Sequence, residues 1–270
     1  MKAVLLARGL GTRMRRSDAG ASLTAEQSAA ADEGIKAMMP MASGRPFLHY
    51  VLSALADAGV HETCLVVGPD ATDVQRHFHH EMTLRRVRIR FAIQEEPRGT
   101  ADAVLAAESI VGAGRFLVLN ADNYYPVEAY RALSEVEGCA LPGFDREALV
   151  RQGNIDPERI RRFALLRVAA DGFLEEIVEK PDETTFEAMG PHALVSMNLW
   201  AFTPVIFEAC RRVKPSPRGE LELADAVRIA MKDLGERFRV LPLVAPVLDL
   251  GRRSDVANVE AALRNVRPIL

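Results

Sequence analysis

The chain has 270 residues, 49% hydrophobic and 26% charged, which suits one large α/β domain with a sizeable core. A formal net charge of −3 gives no reason to expect nucleic acid or an anionic membrane as partner, so any site for a polyanion must be local. Three scattered cysteines (Cys64, Cys139, Cys210), no apolar run of membrane-spanning length and no signal-peptide pattern point away from a disulfide framework, a zinc site and a membrane span, and lead us to expect a cytoplasmic protein.

Residues 2–7 read as a buried strand that runs into Gly9-Leu10-Gly11-Thr12-Arg13. Glycines let backbone N–H groups approach an anion and arginine supplies charge, so this turn is a candidate phosphate cradle. Residues 15–34 read as an insertion, a lid or a surface elaboration. Within it Thr24-Ala25-Glu26-Gln27 has the capping-box form and predicts a helix over 25–32. Pro46, then Phe47, Val51, Ala54, Leu55 and Ala58 at helical spacing, then Gly59, predict the next helix. Residues 62–67 form a second buried strand, and Asp70 is placed to cap a helix carrying Val74 and Phe78. His77, His79 and His80 fall there; without carboxylate or cysteine spacing they read as a solvated helix end, not a metal site.

Alternation over 86–93 predicts a strand with one wet face, followed by the polar loop 94–99 and a helix from Thr100. Residues 116–119 form another buried strand, ending in Asn120-Ala121-Asp122-Asn123 at the carboxyl edge, where open parallel sheets bind ligands. Strand alternating with helix argues for a doubly wound, mostly parallel, Rossmann-like sheet in three α/β/α layers. The second half is less regular. Residues 142–158 read as loop; strands are expected at 163–168 and 173–178, at 194–202 interrupted by Asn198, and at 238–243 and 247–250. Helices are expected at 204–212, 221–234 and 255–264. One domain, 1–270, is expected, with a nucleotide-binding half (1–135) and a substrate half (136–270).

A Gly-x-Gly turn alone is a weak signal. Met14 stands where a dinucleotide fingerprint needs a third small residue, and the Walker Gly-Lys-Ser/Thr is absent. What remains is a glycine turn with Thr12 and Arg13, a later lysine, and separate carboxylates. Read singly, these residues have ordinary structural roles open to them: Asp122 and Asp249 as caps, Glu179 and Lys180 as a surface pair, Asn198 at a bulge, Trp200 in the core.

Taken together they resemble the sugar-1-phosphate nucleotidylyltransferases of the glucose-1-phosphate thymidylyl/uridylyl type. Gly9-Leu10-Gly11-Thr12-Arg13-Met14 is similar to their Gly-x-Gly-Thr-Arg-Leu signature. Lys36 to Pro40 with Gly44-Arg45-Pro46 resembles the Lys-x-x-x-Pro and Gly-Lys-Pro segment. Gln94 to Ala101 resembles the base-recognition loop, Asn120 to Asn123 the metal segment, Glu179-Lys180-Pro181 the Glu-Lys-Pro motif, and Asp249-Leu250-Gly251 the late Asp-x-Gly. The motifs follow the family order.

The resemblance implies in-line attack of a sugar 1-phosphate on the α-phosphate of a nucleoside triphosphate, UTP or dTTP favoured, with release of pyrophosphate. It implies Arg13, Lys36 and Asp122 as catalytic residues and Mg²⁺ held by Asp122 and Asp249. Leu6, Ala7, Gly9, Gly11, Thr12, Arg13, Gln94, Pro97, Gly99 and Thr100 would bind the nucleotide; Ala164, Glu179, Lys180 and Asn198 would bind the sugar phosphate. The substrate half is then the sugar-phosphate-binding half, and its β-rich insertions carry the sugar site. A homo-oligomer is compatible with all of this. Arg8 departs from the family by replacing a glycine, and the insertion separates Lys36 from Arg13 further than usual. Ala164 places a methyl where the family has a glycine near the sugar, which puts glucose itself in doubt. Two alternatives stay open: the same fold with a heptose, cyclitol or phosphoalcohol acceptor, and a regulatory nucleotide-sugar-binding protein without catalysis.

Overall fold

In the computed structural model every residue is described except Leu10 and Ala19, so the middle residue of the glycine turn lies outside the described residues. Five strands build the first half: β1 (Lys2–Leu6), β2 (Glu62–Val67), β3 (Arg88–Ile93), β4 (Phe116–Asn120) and the short β5 (Asn123–Tyr124). The second half adds β6 (Cys139–Phe144), β7 (Ala164–Val168), β8 (Leu174–Val178), β9 (Leu194–Ser196), β10 (Trp200–Phe202), β11 (Phe238–Leu243) and β12 (Leu248–Asp249).

The main sheet runs β3-β2-β1-β4-β10-β6-β9-β7-β8, with β11 beside β6. Its first four strands are parallel, as crossover helices require. From β10 onward the order is mixed: β10 lies antiparallel to β4, and the β7–β8 hairpin is antiparallel to β9. In register, Leu6 stands beside Val66 and Asn120, and Val67 beside Ile93. The Gly9 turn, Gly68, Gln94 and Asp122 therefore emerge at one carboxyl edge.

Two apolar layers sandwich the sheet, because alternate residues of each strand face opposite sides. Leu5, Leu65, Leu117 and Leu119 join the helix Phe47–Asp57 in one layer; Val4, Val66, Phe116 and Val118 join the helices Thr100–Ala106, Val205–Arg212 and Leu223–Asp233 in the other. Trp200 belongs to that second layer, stacked on Phe202 at 5.5 Å, as a core residue. All three cysteines are free and buried, and burial pushes each thiol up to about 12, which keeps them protonated and unreactive.

The differences from the sequence reading have local causes. Residues 139–144 form a fully buried strand despite Pro142 and Gly143, because pairing on both sides with β11 and with β10 and β9 outweighs weak strand propensity. Helices Arg146–Arg151 and Pro157–Ile160 occupy what read as loop. The strand expected over 194–202 is broken at Met197–Leu199, where Asn198 takes a left-handed backbone with φ 56°. Asp70 does not cap the helix Thr72–Arg76, which starts after Ala71. His79 and His80 are exposed as expected, but His77 turns inward: its Nε2 lies 2.9 Å from Nε2 of buried His49, and its Nδ1 lies 2.9 Å from Glu81 Oε2.

The insertion is anchored. The helix Ala25–Glu33 has its full capping box, Thr24 with Gln27. Buried Arg253 donates to the carbonyls of Met14 and Arg16 and pairs with Asp32, while Gln27 Nε2 donates to Pro40 O and Glu260 Oε1. These bonds tie the helix to the segments on both sides of the glycine turn and to the last helix.

Candidate active site

Gly11 adopts φ 61° and lies so close to Gly34 that a Cβ would come 2.2 Å from the Gly34 carbonyl oxygen. Two left-handed glycines thus meet, and the chain leaves Gly34 into the short 3₁₀ turn Lys36–Met38, with Lys36 N–H donating to Gly34 O. This contact offsets the long insertion and returns Lys36 to the turn. Gly9 faces open space, and Thr12 and Arg13 are exposed; Arg13 has no ion-pair partner among the described residues.

Lys36 Nζ donates to Asp122 Oδ2 at 2.8 Å. Asp122 follows β4, and the next residue, Asn123, pairs with Asp249 across the β5–β12 ribbon, where Leu250 N–H donates to Asp122 O at 2.9 Å. This ribbon brings together two carboxylates separated by 127 positions. Asp249 is buried and raised from the ordinary carboxylate value to about 6, first by burial and then by the negative charge of Asp122, with Arg159 and Lys36 opposing. Its backbone is fixed by Asn154, whose Nδ2 donates to Asp249 O and whose Oδ1 accepts from Asp249 N–H, both at 2.8 Å. Buried Arg159 pairs with Asp249 and also donates from Nη1 to Asp255 Oδ1 at 2.9 Å. The cap of the next turn is supplied by Asp255, which accepts from Gly251 and Arg252 N–H, so Asp249 has no capping duty.

Two neighbouring carboxylates with hard oxygens fit one small divalent cation that takes its other ligands from water and phosphate. Among the described residues no group of three or more histidine, cysteine or carboxylate ligands gathers elsewhere or here, so an all-protein metal cage is not present.

In the loop after Gln94, Gly99 has φ 121° and abuts Leu221, whose oxygen would lie 2.5 Å from a Cβ. The loop is stitched to that neighbour: Leu221 N–H donates to Arg98 O, Ala101 N–H to Leu221 O, and Leu223 N–H to Thr100 Oγ1. Pro97 is exposed in the same loop. Gln94 is only 4% exposed, and its Nε2 donates to Gly99 O at 3.0 Å and to Asp102 Oδ2 at 2.8 Å. Arg8, the residue that replaces a family glycine, reaches sideways and donates from Nη2 to Glu95 O at 2.8 Å. It ties the end of β1, with Leu6 and Ala7, to the residue after Gln94.

In the second half, Lys180 (φ 44°) and Asn198 (φ 56°) are the two non-glycine residues with left-handed backbone among the described residues. Such conformations are costly and gather at functional sites. Lys180 is exposed without an ion-pair partner among the described residues; Glu179, half-buried, is raised above the usual carboxylate value by burial and by Glu222, opposed by Lys180, Arg228 and Arg218. Ala164 is buried in the core layer with Leu166 and Ile177.

Sequence reasoning missed Arg159, Asn154, Asp102 and Arg253. None has a local signal; each is recognisable only once the ribbon and loops bring its partner beside it.

Residues 2–265 match the model of the nucleotidyl transferase family, and the chain belongs to that family. It is 28% identical over 264 residues to a UTP–glucose-1-phosphate uridylyltransferase of Haloferax volcanii, covering 98% of this chain and 97% of that one. It is 24% identical over 280 residues to a glucose-1-phosphate thymidylyltransferase of Neisseria gonorrhoeae, covering 100% of this chain and 84% of the relative. A UDP-glucose pyrophosphorylase solved with UDP-glucose shares the fold, with a TM-score of 0.75 at 19% identity over 98% of this chain and 99% of that one. The protein is therefore a nucleotidyltransferase with a mostly parallel α/β core. No helix among the described residues is long and apolar enough to cross a membrane.

Proposed function

We propose that this chain transfers a nucleotidyl group from UTP or dTTP to a sugar 1-phosphate, releasing pyrophosphate with the help of Mg²⁺. The observation that carries the reading is the convergence of Lys36, Asp122 and Asp249 beside the glycine turn, through the 2.8 Å Lys36–Asp122 pair and the Asn123–Asp249 register. Full-length similarity to enzymes named for uridylyl and thymidylyl transfer supports it.

Two polyanions must meet in this reaction, so positioning and charge dominate catalysis. Gly9, Gly11 and Thr12 receive the triphosphate through their backbone, and Arg13 offsets the charge that grows on the pyrophosphate leaving group. Lys36 is placed to exchange its carboxylate partner for a phosphate oxygen. Asp122 and Asp249 would hold Mg²⁺, which supplies Lewis-acid neutralisation of the phosphate oxygens when bound. Lys180 offers the sugar phosphate an unpaired ammonium; Glu179 and Asn198 offer polar contacts to sugar hydroxyls. A core-facing Ala164 leaves glucose 1-phosphate among the acceptors.

The test is a matrix of nucleoside triphosphates against sugar 1-phosphates, heptose, cyclitol and phosphoalcohol phosphates, with pyrophosphate detection. Release with UTP or dTTP and a hexose 1-phosphate, abolished in Asp122→Ala, is expected. No release with any pair would overturn the reading, and release only with a phosphoalcohol would move the acceptor class.

A further inference from the structure

The hydrogen bonds of Gln94 are unusually constrained, and they bear on which nucleobase the site accepts. A primary amide can turn either end toward a ligand. Here the choice is removed. The two partners of its Nε2, Gly99 O at 3.0 Å and Asp102 Oδ2 at 2.8 Å, are acceptors only. The nitrogen must face them, and both of its protons are used. Oε1 is left facing the other way and accepts from no described residue.

Asp102 is itself held. It is 9% exposed and sits in the helix Thr100–Ala106, and its second oxygen accepts from Arg98 Nη2 at 2.5 Å. Arg98, Asp102 and Gln94 form a relay that fixes the amide. The loop around it cannot yield: Gly99 is pressed against Leu221, and Arg8 fastens Glu95 to the end of β1.

We propose that Asp102 is a specificity-determining positioning residue, which locks Gln94 so that only its carbonyl oxygen meets the nucleobase. An acceptor facing the middle of a Watson–Crick edge fits a ring N–H, which uracil, thymine and guanine carry. Adenine and cytosine present a ring lone pair there, and two acceptors face each other without a proton. This deepens the proposed function and rests on its placing of the nucleotide along the carboxyl edge. It makes the exclusion of ATP and CTP a consequence of one carboxylate.

Mismatching a built hydrogen bond costs on the order of 10²-fold in discrimination. The experiment compares kcat and KM for UTP, dTTP, GTP, ATP and CTP with one acceptor, in the wild type, in Asp102→Asn and in Arg98→Ala. The wild type is expected to favour the N–H bases over ATP and CTP by about 10²-fold. In Asp102→Asn the new amide can donate or accept, Gln94 can turn over, and the ratio should fall at least ~10-fold, mostly through KM. Arg98→Ala changes an exposed side chain, so folding is not at stake, and it should relax the ratio part of the way.

A wild type that prefers ATP or CTP overturns the proposal, as does a base ratio unmoved in both variants. Calorimetric binding of UDP, dTDP, GDP, ADP and CDP separates this proposal from the reaction it rests on. Base-selective binding that Asp102→Asn relaxes, without pyrophosphate release from any triphosphate, supports the lock and refutes the reaction. Turnover with no base preference does the reverse.

Discussion

Replacing Arg159 by Leu tests whether the buried charge cluster holds this half of the site together. Arg159 is 6% exposed, and its partners Asp249 and Asp255 are 6% and 2% exposed. In Arg159→Leu, Asp255 keeps the N–H groups of Gly251 and Arg252, but the Asp249 carboxylate loses its one hydrogen-bonded cation among the described residues. Breaking a buried pair from one side costs about 3–5 kcal/mol, because a desolvated charge is left unmatched. At about 2–4 °C per kcal/mol for a chain near this size, the melting midpoint should fall by roughly 6–20 °C. Urea unfolding with a chelator present measures the loss without a bound metal. Asp249→Asn in the Arg159→Leu background should restore more than ~1 kcal/mol of the additive loss, since the orphaned charge is gone. The exposed pair Arg252–Asp156 is the control: at 44% and 57% exposure, Asp156→Ala should cost less than ~1 kcal/mol. If Arg159→Leu also unfolds within 1 kcal/mol of the wild type, or shows no coupling to Asp249→Asn, the cluster does not carry the role assigned to it.

Lys36→Ala should lower kcat/KM by about 10²-fold, the usual effect of losing one charge-stabilising donor, read in the pyrophosphate assay. Gly11→Ala should destabilise by at least ~1–3 kcal/mol, since φ is 61° and the new methyl would lie 2.2 Å from Gly34 O; a thermal melt unchanged within 1 °C would contradict the close approach. His49 is lowered to about 4 by burial, with the charges of His77 and Arg45 adding. Between pH 6.5 and 4 the unfolded chain binds a proton at this imidazole that the folded chain refuses, so stability falls as pH falls through that window, by up to ~2–3 kcal/mol. Urea midpoints at pH 7 and pH 4.5 should therefore converge in His49→Gln relative to the wild type; equal slopes in both proteins would remove His49 from the account.

The regular half of the fold was legible because each element carried its own signal. The span 62–67 alternated with helices, the Thr24–Gln27 capping box marked its helix, and the residues after 119 were polar at a carboxyl edge. β6 was not legible, because Pro142 and Gly143 speak against a strand locally and only its two-sided pairing overrides them. The same division runs through the site. Arg13, Lys36, Asp122 and Asp249 stood in motifs, whereas Arg159 and Asp102 act through partners 90 and eight residues away, distances that no periodicity marks. Ala164 belongs with the elements that were not legible, since its motif position does not mark that strand alternation turns its methyl into the core layer.

The charges of the cluster also distinguish two of its cations, Lys36 and Arg159. Asp122, Asp249, Asp255 and Asp156 face Lys36, Arg159 and Arg252, so four carboxylates oppose three cations and one negative charge is left over. Burial resists that excess, which is why Asp249 is raised to about 6, the charge of Asp122 coming second to desolvation. A divalent cation would relieve it and turn the site net positive, and a triphosphate beside exposed Arg13 is then the matching anion. Lys36 is the member free to change partners, because it is held by one hydrogen bond at 2.8 Å, whereas Arg159 is clamped between two carboxylates. In the reaction we propose, these two cations would divide the work by their anchoring: Arg159 would keep Asp249 in place, and Lys36 would pass from carboxylate to phosphate.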